Sequence, residues 1–152
     1  MNLNEIRREY KRSALMENDL IADPLLFFRQ WFQECISAEV NEPNAMVLAT
    51  VSGSKVSARV VLLKELDAKG FVFFTNYDSR KGYELALNPA ASLVFFWPEL
   101  ERQVRVEGIV ERISEASSDE YFNSRPYESR VSALISPQSR VVPSREFLED
   151  LH

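Results

Sequence analysis

Three small sets of residues in this chain have the types and spacing to hold doubly charged anions. Ser79, Arg80 and Lys81 stand together just after Thr75-Asn76, where a helix is expected to begin. A helix N-terminus offers unpaired N–H groups and the positive end of the peptide dipole, so cations placed there oppose the dipole unless an anion binds between them. The trio therefore reads as a phosphate seat, with a solvated basic turn as the plainer alternative. Tyr121, Arg125 and Ser129 recur at i, i+4 and i+8. On one unbroken helix they would share a face, and two hydroxyls with a guanidinium suit a phosphate monoester. Pro126 interrupts that run, and an exposed polar helix face is the plainer reading of the spacing. Arg59 and Lys64 bracket an apolar strand; strict alternation puts them on opposite faces, to serve two anions or to require a bulge.

Other chemistries are excluded by what is missing. The only histidine is His152, the last residue, so a base held in a cleft by a third group, as in a Ser-His-Asp or Cys-His arrangement, is not expected. The only cysteine, Cys35, falls on the apolar face of an expected helix and reads as a core residue; with no further N/S ligands, no metal site is expected. Four glycines and no G-x-x-x-x-G-K-[ST] or G-x-G-x-x-G run exclude the common nucleotide cradles. If the chain is an enzyme, an organic cofactor carries the reaction and no catalytic side chain is identifiable. The net charge of −5 argues against a general nucleic-acid binder, although Arg125, Arg130, Arg140 and Arg145 gather against one acidic residue, Glu128. No apolar run approaches the roughly 20 residues of a bilayer span and no signal-peptide core is present, so no membrane association and a reducing, cytoplasmic location are expected.

The elements that must position these residues are legible in outline. The 152 residues suit one domain. Residues 1–22 read as a mobile charged arm, 23–143 as the folded domain with peripheral helices, and 144–152 as the start of a C-terminal helix that the chain does not complete. Asp23-Pro24 opens a helix with Asp23 as N-cap, and Leu25, Phe28, Phe32, Cys35 and Ile36 form its apolar stripe. Strands are predicted over 45–51, 56–66 and 71–76, joined at Ser52-Gly53 and at 67–70 into an antiparallel meander. A short helix over 79–89, capped by Ser79, precedes strands at 91–97 and 102–113. Helices at 114–125 and 127–135 and a helix start at 145 follow. The fold class is mostly β with flanking helices, a small antiparallel barrel rather than a βαβ fold.

Taken together, IRREY (6–10), DPLLFFRQW (23–31), RVVLLK (59–64), FFTNYDSRKGYEL (73–85), LERQVRVEG (100–108) and YFNSRPYESRVSALISPQS (121–139) resemble, in order and over nearly the whole chain, the pyridoxine/pyridoxamine 5′-phosphate oxidase family. The resemblance implies an antiparallel FMN-binding split β-barrel, working as a homodimer with FMN at the interface. The implied activity is oxidation of pyridoxine or pyridoxamine 5′-phosphate to pyridoxal 5′-phosphate with oxygen as acceptor, releasing hydrogen peroxide. It also implies FMN contacts from Arg59, Val60, Val61, Leu62, Leu63 and Lys64, from Phe74, Thr75, Arg80, Lys81 and Gln103, and from Gln138 and Ser139, the last two reaching over from the partner subunit. Lys64, Tyr121, Arg125 and Ser129 match the positions that grip the substrate phosphate, and Arg7 and Tyr10 match residues that close over the substrate. The family's C-terminal segment, with its arginine and histidine near the substrate, has no counterpart here. RVSALIS (130–136) also departs from a pattern with Gln at 130, Gly at 132 and Trp at 134, and Phe74 stands where tyrosine is common. The alternatives are a weakly active or inactive module that binds FMN or pyridoxal phosphate, and another split-barrel flavin reductase.

Overall fold

The computed structural model describes residues 3–5, 9 and 14–150. Helix α1 (Pro24–Ser37) starts as its cap predicts: Asp23 Oδ1 accepts from the N–H groups of Leu25 at 2.8 Å and Leu26 at 3.2 Å. Strands β1 (Ala45–Ser52) and β2 (Lys55–Leu62) form a hairpin running from Ala45↔Leu62 to Ser52↔Lys55. Its tight turn holds Gly53 at φ +58°, a conformation costly for any residue with a Cβ.

The expected meander is corrected at this point. Strand β1 takes β5 (Ala90–Trp97) as its second neighbour, and β6 (Arg102–Ile109) pairs with β5, giving the order β2-β1-β5-β6, all antiparallel. Residues 56–66 do not form one strand: β2 ends at Leu62, and β3 (Glu65–Leu66) pairs only with β4 (Phe71–Val72) in a separate ribbon. The ribbon's turn is closed by Asp67, whose Oδ1 accepts from Lys69 N at 2.7 Å and Gly70 N at 2.9 Å. The physical reason for the strand order is burial. Leu93, Phe95 and Trp97 of β5 continue the buried row Met46, Leu48 and Thr50 of β1, whereas 73–76 leave the ribbon to lead into the next helix.

That buried row faces α1. Phe28 packs its ring 4.9 Å from Phe95 and 5.8 Å from Trp97, and Cys35 is fully enclosed. Ile36, expected in the apolar stripe, is 49% exposed; Trp31 is the side chain packed against the core at this end, with the Arg102 guanidinium 4.6 Å above its ring. The other sheet face is uncovered and apolar, with Val56 (77% exposed), Val60 (64%) and Phe96 (60%) beside Val47.

Helix α2 (Arg80–Leu87) follows the ribbon, and α3 (Glu115–Ser124), α4 (Tyr127–Ile135) and α5 (Arg145–Asp150) follow β6. The run 114–135 breaks at Arg125, which is extended (φ −76°, ψ 149°) before Pro126. Tyr121, Arg125 and Ser129 are therefore not stacked along one continuous helix.

Candidate functional site

The site is built where α2 crosses the far end of the buried sheet face. On β2, Ser57 and Arg59 alternate inward, opposite Thr50 and Leu48 of β1. Apolar cover ends there and Glu84 of α2 takes its place, 5% exposed. Its Oε2 accepts from Thr50 Oγ1 at 2.5 Å, Ser57 Oγ at 2.6 Å and Arg59 Nη2 at 2.9 Å, while Oε1 accepts from Arg80 Nε at 2.8 Å. The hydroxyls of Ser57 and Thr50, with the two guanidiniums, outweigh burial and hold the Glu84 carboxyl down at about 2. Arg59 is anchored further by Thr50 Oγ1 at 2.6 Å, Ser57 Oγ at 2.6 Å and the Leu48 carbonyl at 3.2 Å. Its Nη protons are thus all engaged, whereas Arg80 spends only Nε and keeps its Nη groups toward solvent.

Ser79 caps α2 as expected, its Oγ accepting from Gly82 N at 3.3 Å and donating to the Asn76 carbonyl at 2.6 Å. Gly82 is required there: a Cβ would stand 2.1 Å from the Tyr77 carbonyl oxygen, so the first turn of α2 lies directly on the 76–78 loop. Lys81 Nζ donates to Ser79 Oγ at 3.3 Å and to Gln138 Oε1 at 2.7 Å. Burial, with the nearby Arg59 charge, lowers its pKa. Gln138 thus meets Lys81 within one chain. Beside it Ser139 adopts φ +66°, a left-handed conformation uncommon outside glycine. Thr75 Oγ1 is buried and has no hydrogen-bond partner among the described residues, and neither has Arg130 Nε. Phe74 stacks on Tyr121 with ring centroids 3.6 Å apart and planes 8° from parallel, which ties the loop before α2 to α3.

The structure thus brings together Arg59, Arg80, Lys81 and Gln138, and separately Phe74 with Tyr121. It does not bring Lys64 to them by any described contact. Lys64 is exposed and lines an open cleft of about 490 Å³ with Phe28, Arg29, Asn44 and Leu66, and none of Tyr121, Arg125 or Ser129 lines that cleft. Arg125 and Ser129 are half-buried on either side of the helix break. Val60 and Leu62 face the uncovered side of the sheet, Val61 is half-buried on the other side, and Leu63 is buried just beyond the strand. Gln103, paired with Phe96, stands on the uncovered face, opposite to Arg59. Arg7, Tyr10 and His152 lie outside the described residues. Sequence reasoning missed Glu84, Thr50 and Ser57. The i, i+4 spacing of Arg80 and Glu84 and the i, i+2 spacing of Ser57 and Arg59 were the available signals, but neither indicates that the two pairs converge.

Among the described residues, no group of three or more His, Cys, Asp or Glu could hold a metal, and no helix is long and apolar enough to cross a membrane. The architecture, an antiparallel split barrel with flanking helices, is shared with solved structures. PhzG from Burkholderia lata 383, solved with tetrahydrophenazine-1-carboxylic acid, superposes with a TM-score of 0.86 at 28% identity over 91% of this chain and 70% of that one. A pyridoxamine 5′-phosphate oxidase-related, FMN-binding protein from Nostoc punctiforme shares the fold at a TM-score of 0.64 and 13% identity, covering 86% of this chain and 73% of that one. The profile of the pyridoxamine 5′-phosphate oxidase family matches residues 32–150. The pyridoxine/pyridoxamine 5′-phosphate oxidases of Acidovorax sp. (strain JS42) and Actinobacillus succinogenes are 56% and 57% identical to this sequence. Each match covers 97% of this chain, and 68% and 71% of those proteins. The chain belongs to the pyridoxamine 5′-phosphate oxidase family, a family of oxidoreductases, and spans about 70% of the length of these relatives.

Proposed function

We propose that this chain binds FMN and oxidises pyridoxamine 5′-phosphate or pyridoxine 5′-phosphate to pyridoxal 5′-phosphate. The amine substrate consumes one O2 and one water and yields ammonia and H2O2; the alcohol consumes O2 and yields H2O2 alone. The observation that carries the reading is the fit between family membership and an unfilled donor set. Thr75 Oγ1 is buried without a partner beside the α2 entrance, where Arg80 keeps free Nη groups and Lys81 retains a proton. A flavin phosphate would give these groups the acceptor they lack. Bound FMN would supply the hydride acceptor, which suits a site without a histidine base. Arg80, Lys81, Thr75 and Gln138 would hold its phosphate end. Arg59, the adjoining strand residues 60–64 and Phe74 would shape the rest of its bed. Tyr121, Arg125 and Ser129 would grip the phosphate of the substrate. Remote anchoring of that kind supplies binding energy for orienting the reacting carbon.

The homodimer is part of this reading. The uncovered face around Val47, Val56, Val60 and Phe96 is the apolar surface a second copy would bury, and Gln103 stands on that same face. Cys35, a free and fully buried thiol, is compatible with a reducing cytoplasm.

Purified protein incubated with FMN and then freed of unbound flavin should stay yellow with a perturbed flavin spectrum and release peroxide when given pyridoxamine 5′-phosphate. A protein that is colourless once the excess FMN is removed would end the proposal. Arg125→Ala should raise KM for the phosphorylated substrate about ten- to hundredfold, the range expected for losing a charged hydrogen bond, with a smaller effect on kcat. An unchanged KM would remove Arg125 from the substrate site.

A further inference from the structure

Glu84 is the most enclosed ionised group of the site, and of the exposed donors that would meet a ligand it touches only Arg80, at Nε. We infer that Glu84 is a positioning residue for flavin-phosphate binding, fixing the Arg59 and Arg80 guanidiniums in one rigid array with Lys81. The inference rests on the FMN reading above and goes beyond it by naming the group that organises the cations.

The geometry bears this out at each atom. One carboxylate accepts from four donors on three elements: Thr50 on β1, Ser57 and Arg59 on β2, and Arg80 on α2. It is the link by which both arginines are tied to one point, Arg59 through Oε2 and Arg80 through Oε1. Without it the guanidiniums of Arg59 and Arg80 and the ammonium of Lys81 would repel one another across a short span. Arg80, 62% exposed along its side chain, would be free to swing into solvent. With it, three cations and one anion leave two positive charges, the complement of a phosphate monoester dianion.

An opposing effect acts at the same site. A carboxylate near a phosphate repels it, so neutralising Glu84 could tighten FMN binding. The four donors on Glu84 already absorb its charge, while the Nη groups of Arg80 that face outward are placed only through the bond to its Nε. Loss of placement therefore outweighs loss of repulsion.

The test is a comparison of FMN with riboflavin, which lacks the phosphate, by quenching of flavin fluorescence in the wild type and in Glu84→Gln. The wild type should bind FMN much more tightly than riboflavin. Glu84→Gln should weaken FMN about tenfold or more while riboflavin moves less than about twofold. A structural role alone would weaken both ligands together. Equal weakening of both, an unchanged FMN-to-riboflavin ratio, or tighter FMN binding in Glu84→Gln would each overturn the inference. A wild type that does not discriminate the two flavins overturns the phosphate-seat reading itself, and the inference with it. If Glu84→Gln does not fold, Ser57→Ala removes one support of the same array. It should shift the ratio in the same direction by a smaller factor, and an unshifted ratio there overturns the inference equally.

Discussion

The buried face of the sheet has two ends built on opposite principles, though they share strands and lie two residues apart. Under α1, Leu48, Phe95 and Trp97 meet Phe28, and the contacts are rings and methyl groups with almost no exposure. Under α2, the next inward positions are Thr50, Ser57 and Arg59, and the covering residue is a glutamate. The first end excludes water and tolerates substitutions that keep volume; the second is held by directional bonds, each needing its partner in place. Apolar packing supplies a rigid floor, and the polar array is set on it beside the surface where Arg80 is exposed.

Substitutions should separate the two ends. Trp97→Ala has the largest expected effect, a loss of about 3–5 kcal/mol in chemical denaturation, because it empties a fully buried aromatic site and removes the bond from Nε1 to the Pro43 carbonyl. Its folded fraction should still prefer FMN to riboflavin, and loss of that preference would show that the two ends are not separable. Lys81→Ala should act the other way, with little change in unfolding midpoint but FMN affinity about tenfold weaker. A change in stability without a change in affinity would invert the assignment.

Acid should distinguish the ends more gently. The Glu84 carboxyl falls from 4.5 to about 2 on folding, so it contributes stability that is complete above about pH 5 and is lost as pH drops from 4.5 toward 2. Denaturation midpoints measured across that window should fall more steeply for the wild type than for Glu84→Gln; parallel curves would mean that the array contributes nothing to the fold. Ile36→Ala should have the smallest effect, within about 0.5 kcal/mol, since the side chain lies on the solvent side of α1. A larger loss would indicate that the face it occupies is covered.

Much of the frame was legible without coordinates. Asp23, Ser79 and Ser114 each cap the helix their position announces. Gly53 and Asp67 to Gly70 mark the turns, and the alternation of β6 is plain in Val104 and Val106 against Arg105 and Glu107. The motifs carrying the family resemblance were equally visible, as was Pro126, whose break of the 114–135 run could be anticipated. What misled was adjacency. Consecutive strands suggested a meander, and the i, i+4, i+8 spacing of Tyr121, Arg125 and Ser129 suggested one face.

The local signals the sequence determined by itself all act within a few residues: a cap bonds three positions ahead, a turn closes over four, and strand alternation repeats every two. Which strand fills the second edge of β1, and which side chains face one another across the site, depend on contacts between distant segments. Arg59 meets Glu84 across 25 positions and Lys81 meets Gln138 across 57. No short-range preference encodes those meetings. They follow from burying the row of β5 against α1, which brings α2 down over Thr50 and Ser57 and leaves their polar atoms a carboxylate as the partner that satisfies them all.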